Sequence, residues 1–535
     1  MPRSANLALP ARPWRRAGGS AIAVAVAALI ALVLISILAA ATTQDDATAS
    51  QVDLAYLLWI TTLQAGISTL LSLVAGIALA WSLNRLRFAG RGLVVGLFAS
   101  AIVTPGLVVA FGLLGVWGRS GWLSQIGRSL FGTPLEIPIF GLGGVVAAHV
   151  ILDGAFAARI LLARLDAIPE LHLKSAQSLA LSPLRRFILL DLPAMRGTLP
   201  GLGAVIFLLA FTSFPIVLLL GGGPALQTLE VAIYAAVRLN FDLNAAVTLA
   251  LVQIGMCGAI ILVSQLAAPV AVALGQPAES RWRDRGATRA MQIATLAIGL
   301  VGFALPLLAI LFDGVGAMSG LFTQAALWSA LRTSLVIGLV SAALTLGLAI
   351  TIAAARAASS TPTFRVAIGA PAYAYLAVPA VTLSLGAFLF VRNLGVAPQV
   401  AAPVVVITAN ALLSLPFALA TLAPAFDSIA RSRGRLIRAL GLSGLRQFAE
   451  IEWPLLARDI GIAFAMAFCF SLGDLGVIAL FGTQDFVTLP LLMLRALGAY
   501  RSHDAAAIAA LLLILTVAAF ALLPPLFERL GRART

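Results

Sequence analysis

Lysine occurs once in the 535 residues, at Lys174, and that scarcity removes a class of function at once. A phosphate-binding loop needs Gly-Lys-Ser/Thr, with the lysine reaching the phosphates. Lys174 is followed by Ser175 but preceded by Leu173, with no glycine-rich run before it. Gly221-Gly222-Gly223 has no lysine nearby and reads as a flexible turn rather than an anion-binding nest. The chain is therefore expected not to hydrolyse ATP. Cysteine is nearly as rare: Cys257 and Cys469 each sit inside an apolar run with no CxxC pair, so neither a disulfide framework nor a metal site is implied. The three histidines, His149, His172 and His503, fall on separate segments and form no His-Glu-x-x-His pattern. Gly441-Leu442-Ser443-Gly444 superficially resembles a serine-nucleophile motif, but only His503 follows it. No catalytic constellation is present, and an enzyme is not expected.

Charge is also scarce. Only 10% of residues are charged and 61% are hydrophobic, for a mean hydropathy of +1.04. A soluble domain is about 45–50% apolar and 25% charged, so a soluble protein is excluded. The 35 basic and 21 acidic residues leave a net charge of +14. The basic residues form short clusters between apolar runs, which points to orientation in a lipid bilayer rather than to nucleic acid.

What the sequence has in quantity is long apolar runs. A helix needs about 20 apolar residues to cross about 30 Å of hydrocarbon. Twelve runs qualify, near 21–42, 54–83, 93–117, 139–164, 199–220, 244–271, 291–312, 326–355, 367–391, 399–423, 459–482 and 503–525. Each is expected to be helical, because a lone strand leaves its backbone groups unpaired in lipid. The first run follows Arg12, Arg15 and Arg16 and precedes Ala39-Ala40-Ala41, yet it is too long for a signal-peptide core and reads as a retained anchor. With the N-terminus inside, 28 of the 35 basic residues fall on the cytoplasmic side, leaving Arg119, Arg128, Arg238, Arg332, Arg392, Arg495 and Arg501 outside. The first outer loop, with Asp45, Asp46 and Asp53, fits that orientation. Both termini are thus expected in the cytoplasm.

The chain reads as two copies of one unit. Leu179-Ala180-Leu181-Ser182, Phe187 and Leu190-Asp191-Leu192-Pro193 recur as Leu440-Gly441-Leu442-Ser443, Phe448 and Ile451-Glu452-Trp453-Pro454, every position shifted by 261. Thr228-Leu229 recurs as Thr488-Leu489. A first repeat over 1–274, a polar linker over 275–290 and a second repeat over 291–535 follow. An even number of spans gives the copies one orientation. Both repeated segments (166–198 and 425–458) are arginine-rich cytoplasmic loops. Orientation alone requires charge, not a fixed small-aromatic-proline spacing. The pattern predicts a short surface helix ended by Pro193 or Pro454, with a sharp turn at Ala180 or Gly441, suited to a cleft on another protein.

These loops resemble the EAA motif of ABC importer permeases: Glu-Ala-Ala, three residues, Gly, nine residues, then Ile-x-Leu-Pro. Gly441 matches the glycine and Ile451 and Pro454 the tail, with Trp453 in place of leucine. Leu190, Leu192 and Pro193 match the tail in the first copy, where Ala180 replaces the glycine. Lys174 and Arg435 replace the glutamates; Ala176 keeps one alanine, and Leu436 and Ile437 replace both in the second copy. The segments 111–123, 218–236, 471–490 and 498–506 resemble the fused permeases of thiamine importers, over nearly the whole chain, to which the fused ferric-iron permeases are related.

The resemblance implies an all-α polytopic membrane protein of the type I, MetI-like ABC permease fold, with about 12 transmembrane helices in two parallel six-helix repeats. It implies a bacterial inner-membrane channel for thiamine and its phosphates, fed by a periplasmic substrate-binding protein. Two copies of a separate ATP-binding subunit would dock on the two loops, ATP and Mg residing on that subunit and no cofactor on this chain. The docking residues implied are Lys174, Ala176, Ala180, Ser182, Phe187 and Pro193, with Arg435, Gly441, Ser443, Phe448 and Pro454.

Ionisable residues at membrane depth are functional candidates. His149 and Asp153 are four apart on one helix face, and Asp474 lies among closely spaced glycines. A cationic thiazolium ring favours a carboxylate, so these three are expected along the path, against the alternative that they pair with neighbouring helices. Trp59, Trp117 and Trp122 read as interfacial anchors. A ferric-iron or other small-solute permease and an ion-coupled secondary transporter are the competing readings. The second explains the topology but not the two matching loops.

Overall fold

The computed structural model describes residues 13–42, 53–223, 226–264 and 284–532, and all regular structure among them is helical. Arg12, Asp45, Asp46 and residues 275–283 of the expected linker lie outside the described residues. The N-terminal anchor is α1 (Pro13–Thr42), followed by α2 (Leu54–Arg85), whose start is capped by the Asp53 carboxylate accepting from the Tyr56 N–H. Next come α3 (Arg91–Ser100), α4 (Gly106–Trp117), the short amphipathic α5 (Trp122–Phe131) and α6 (Leu142–Asp166). The first repeated loop holds α7 (Glu170–Ser178), α8 (Pro183–Arg186) and α9 (Leu192–Arg196). It leads into α10 (Leu199–Phe211), α11 (Pro215–Leu220), α12 (Leu229–Arg238) and α13 (Leu243–Ser264).

The second half begins with α14 (Gly286–Leu321), α15 (Ala325–Ala357), α16 (Pro362–Ala374) and α17 (Ala380–Asn393). The 42-residue α18 (Pro398–Ala439) runs into the second loop, where α19 (Gly444–Gln447) precedes α20 (Trp453–Leu472). The chain ends with α21 (Gly476–Phe481), α22 (Leu489–Gly498) and α23 (Ser502–Arg532).

Among the described residues ten helices are long and apolar enough to cross a membrane, or twelve when each of two bent pairs counts as one span. The chain is an all-α, multi-pass membrane protein. Four of the apolar runs break in mid-course rather than continuing as single rods. Pro105 separates α3 from α4, Pro215 starts α11, and Pro379 separates α16 from α17, where the chain turns by 98°. Proline removes a backbone donor and restricts the residue before it, so each is a natural break. The fourth break, at Gly473-Asp474, has no proline; the Asp474 carboxylate accepts from the Val477 and Ile478 N–H groups and starts α21.

The two halves pack alike, α2 against α6 and α15 against α18, but the first helix of each reaches across onto the other. α1 lies on α15, α16 and α17 of the second half as well as on α13 of its own, while α14 lies on α2 and α4 of the first half as well as on α23 of its own. The Tyr375 hydroxyl donates to the Val26 carbonyl (3.4 Å), and Phe303 of α14 meets the edge of Phe98. Gly112 lets α14 approach: a Cβ there would stand 2.6 Å from the Pro306 carbonyl oxygen.

Candidate coupling segments and translocation path

The two repeated loops share a local geometry that the sequence dictates. Ala180 and Gly441 both adopt positive φ, +46° and +63°, and reverse the chain after the preceding helix. In the first loop the Ser182 hydroxyl accepts from the Arg185 N–H to start α8; Ser443 makes no such cap. Each loop then forms a five-residue π-helical turn, Phe187–Asp191 and Phe448–Glu452. The cause is the proline. Pro193 and Pro454 lack the N–H that would bond four residues back, and the ladder shifts: the Leu192 N–H donates to the Phe187 carbonyl, and the Trp453 N–H to the Phe448 carbonyl. The expected termination of a surface helix at these prolines is corrected here. The backbone stays helical through them, and each proline stands in the first turn of the next helix, α9 or α20.

The sequence-derived docking residues lie as follows. Lys174, Ala180, Ser182 and Pro193 are exposed, Ala176 is buried, and Phe187 is half-buried with Trp81 edge-on at 6.0 Å. Arg435, Gly441 and Ser443 are exposed, Pro454 is half-buried, and Phe448 is half-buried beside Trp453 at 6.0 Å. Between them stand large apolar side chains left open: Leu171, Leu179, Leu184, Ile188 and Leu189 in the first loop, Leu440 and Leu445 in the second.

Six charged residues hold these loops in ion pairs that the sequence did not reveal, although Arg15, Asp191 and Glu452 stand in segments named above. In the first loop Arg85, at the end of α2, donates to Asp191 (2.5 Å) with both side chains fully buried. Arg186 donates to Asp284 (2.5 Å), which also accepts from the Gln292 side-chain amide (2.7 Å). In the second loop Arg15 of α1 grips Glu452 with both terminal nitrogens (2.7 and 2.8 Å), and the Gln447 amide donates to the same carboxylate (2.7 Å). Asp191 and Glu452 occupy equivalent positions in the repeat. Arg15 and Asp284 flank the starts of the crossing helices α1 and α14, so each loop is tied to the first helix of the other half.

Between the halves lies a cavity of about 270 Å³, close to the lower limit for small-molecule pockets. Ile102, Phe156, Leu202 and Thr212 line it from the first half; Tyr373, Tyr375, Pro379, Ala380 and Phe417 line it from the second. The lining is apolar and aromatic, and the α16–α17 break forms part of the wall. His149, Asp153 and Asp474 are not among its lining residues. The His149 ring nitrogen Nδ1 lies 3.3 Å from the Asp153 carboxylate, which stands one turn before the lining residue Phe156. Asp474 is occupied with the first turn of α21. Trp59 is exposed, and the Trp122 indole N–H donates to Asp313 at 3.2 Å. Among the described residues no group of three or more His, Cys, Asp or Glu could hold a metal.

The second structural feature missed from sequence is Glu230 in the first turn of α12, completely buried. Near the far end of that helix Arg238 donates to the carbonyls of Ala479 (2.9 Å) and Gly482 (2.6 Å), clasping α12 to α21 of the other half.

No family model matches the sequence. Curated relatives do. The thiamine transport system permease protein of Brucella melitensis is 36% identical over 467 residues, covering 85% of this chain and 84% of the relative. That of Escherichia coli K12 is 36% identical over 471 residues, covering 86% and 87%. A putative 2-aminoethylphosphonate transport system permease protein of Salmonella choleraesuis is 28% identical over 186 residues, 34% of this chain and 64% of the relative.

Proposed function

The chain belongs to the family of thiamine transport system permeases, ABC transporter subunits that are not enzymes, and on that premise we propose that it forms the path by which thiamine and its phosphate esters enter the cytoplasm. ABC permeases work with ATP-binding and substrate-binding partners. In this reading two copies of the ATP-binding subunit, which carries the ATP and Mg, seat on the two repeated loops, and a periplasmic binding protein delivers substrate to the opposite face. The chain spans the bacterial inner membrane with both termini in the cytoplasm, as its arginine distribution favours. Residues 1–274 and 291–535 are the two copies of the pathway-forming unit, joined by 275–290.

The observation that carries the reading is the pair of loops. Each presents exposed leucines around an arginine-rich turn while its base is anchored by buried ion pairs, the arrangement needed to pass a push from a docked motor to the spans. Lys174, Ala180, Ser182, Arg435, Gly441 and Ser443 lie on the docking surface, with Ala176, Phe187, Pro193, Phe448 and Pro454 shaping it. The missing motif glutamates leave apolar contact and shape, rather than an acidic salt bridge, to hold the ATP-binding subunit. In this reading the apolar cavity between the halves is the middle of the path, and His149, Asp153 and Asp474 remain candidates along it, Asp153 standing one turn from the lining residue Phe156.

Thiamine uptake in a strain lacking other thiamine importers tests this. Deleting the gene should abolish uptake and restoring it should recover it; unchanged uptake in the deletion strain would refute the substrate assignment.

A further inference from the structure

Glu230 is a carboxylate without a counter-charge in the middle of a membrane protein. Its relative exposure is 0%, and neither carboxylate oxygen makes a full hydrogen bond. Its polar neighbours are the Gln253 side chain and the Val381 backbone N–H. Among the described residues no arginine or lysine pairs with it. The Gln253 amide nitrogen is likewise without an acceptor, while its oxygen accepts from the Thr382 hydroxyl at 2.9 Å. Gln253 lies ten residues into α13, so about 15 Å from that helix's start, near the centre of a bilayer core about 30 Å thick. An ionised carboxylate at such depth is costly and is retained where it serves an ion or substrate pathway.

Its position relative to the cavity is what gives it a use. Pro379 and Ala380 line the cavity, and the next two residues of the same chain segment, Val381 and Thr382, belong to the Glu230–Gln253 cluster. The cluster therefore lies directly behind the break between α16 and α17, and it is built from both halves: Glu230 and Gln253 from one, Val381 and Thr382 from the other. Any separation of the halves on that side uncovers it. Tyr373, Phe156 and Phe417 place aromatic surfaces in the adjoining cavity.

We propose that Glu230, supported by Gln253 and Thr382, is the counter-charge for a permanently cationic aromatic heterocycle at the membrane midpoint, the aromatic walls of the cavity receiving its ring. A thiazolium carries a fixed positive charge, so a fixed carboxylate and facing π-surfaces are the complementary groups. Buried without a counter-charge, the Glu230 carboxyl is held in its neutral form in the closed state; it gives its proton to water in the path and becomes the counter-ion only when the halves part and the cationic ring arrives. This assignment rests on the reading of the chain as a thiamine permease.

The test measures thiamine uptake by cells carrying the full transporter, with the membrane level of the chain followed by immunoblot. Glu230→Gln keeps the shape and removes the charge, and it should lower the maximal uptake rate about tenfold or more at unchanged membrane level. The exchange Glu230→Gln with Gln253→Glu returns a carboxylate to the same cluster and should restore uptake to within about threefold of wild type. Wild-type-like uptake by Glu230→Gln would overturn the proposal while leaving the permease reading intact, whereas absence of uptake by the wild-type transporter would refute that reading itself. Failure of Glu230→Gln to accumulate would assign the residue a structural role and also overturn the proposal. So would an exchanged variant that accumulates but stays as inactive as Glu230→Gln.

Discussion

Ala180 and Gly441 occupy the same turn in the two halves, and only the second is suited to it. A left-handed conformation costs a residue with a Cβ about 1–2 kcal/mol, partly offset because glycine loses more entropy on folding. Gly441→Ala should therefore lower the thermal midpoint of the purified chain in detergent, and Ala180→Gly should raise it, each by an amount equivalent to about 1 kcal/mol or less. Midpoints moving the same way in both variants would contradict this. The motif alignment already places the small residue at this turn, so the residue was legible from spacing. Asp191 and Glu452 stood in the same aligned segments, but their partners Arg85 and Arg15 are far away in the chain, and no periodicity connects them. Glu230 was legible in principle as a lone acid in an apolar helix between Thr228 and Arg238. The ten residues of α12 are too few to cross a bilayer, so nothing in the sequence marks Glu230 as lying at membrane depth.

At the level of the helices, each loop is a turn, a π-helical segment and a proline, held by buried arginine–carboxylate pairs, two in the first loop and one in the second. Removing one partner of such a pair leaves an uncompensated buried charge and costs about 3–5 kcal/mol. Asp191→Ala should accordingly destabilise the protein by that order, while the double variant Arg85→Leu/Asp191→Leu should recover most of the loss. A double-mutant cycle on thermal unfolding checks it; additive losses would show that the pair is not coupled. The helices themselves were readable from the apolar runs, whose length alone requires crossing. Their interruptions at Pro105, Pro215 and Pro379 carried a signal that a window average over twenty residues conceals. The break at Asp474 carried none beyond neighbouring glycines, because it depends on a side chain capping a helix that exists only once the span has broken.

For the molecule as a whole, the decisive feature is that α1 and α14 each reach across onto the opposite half, which no one-dimensional reading reveals because an apolar run does not name the helix it packs on. The two sequence halves are therefore expected to fold together rather than separately. Chains cut in the linker after residue 275 should accumulate in membranes only when both pieces are co-expressed, each supplying a helix that packs on the other. Accumulation of either piece alone at full level, followed by immunoblot, would contradict this expectation. Arg238 clasps Ala479 and Gly482 across the two halves; if the proposed ATP-coupled cycle parts the halves there, Arg238→Ala should raise ATP hydrolysis by the assembled transporter in the absence of binding protein. Unchanged basal hydrolysis would show that the clasp does not restrain the cycle.

The central claim is that this chain is a passive path worked by a separate ATP-driven motor through two loops. Its most direct test is uptake of labelled thiamine into proteoliposomes containing the chain with its ATP-binding subunit, supplied with binding protein outside. The expected result is accumulation that requires ATP on the side of the loops and is lost when the exposed loop residues Leu184 and Leu445 are replaced together by aspartate. Uptake driven by an ion gradient without ATP or the ATP-binding subunit would contradict the account.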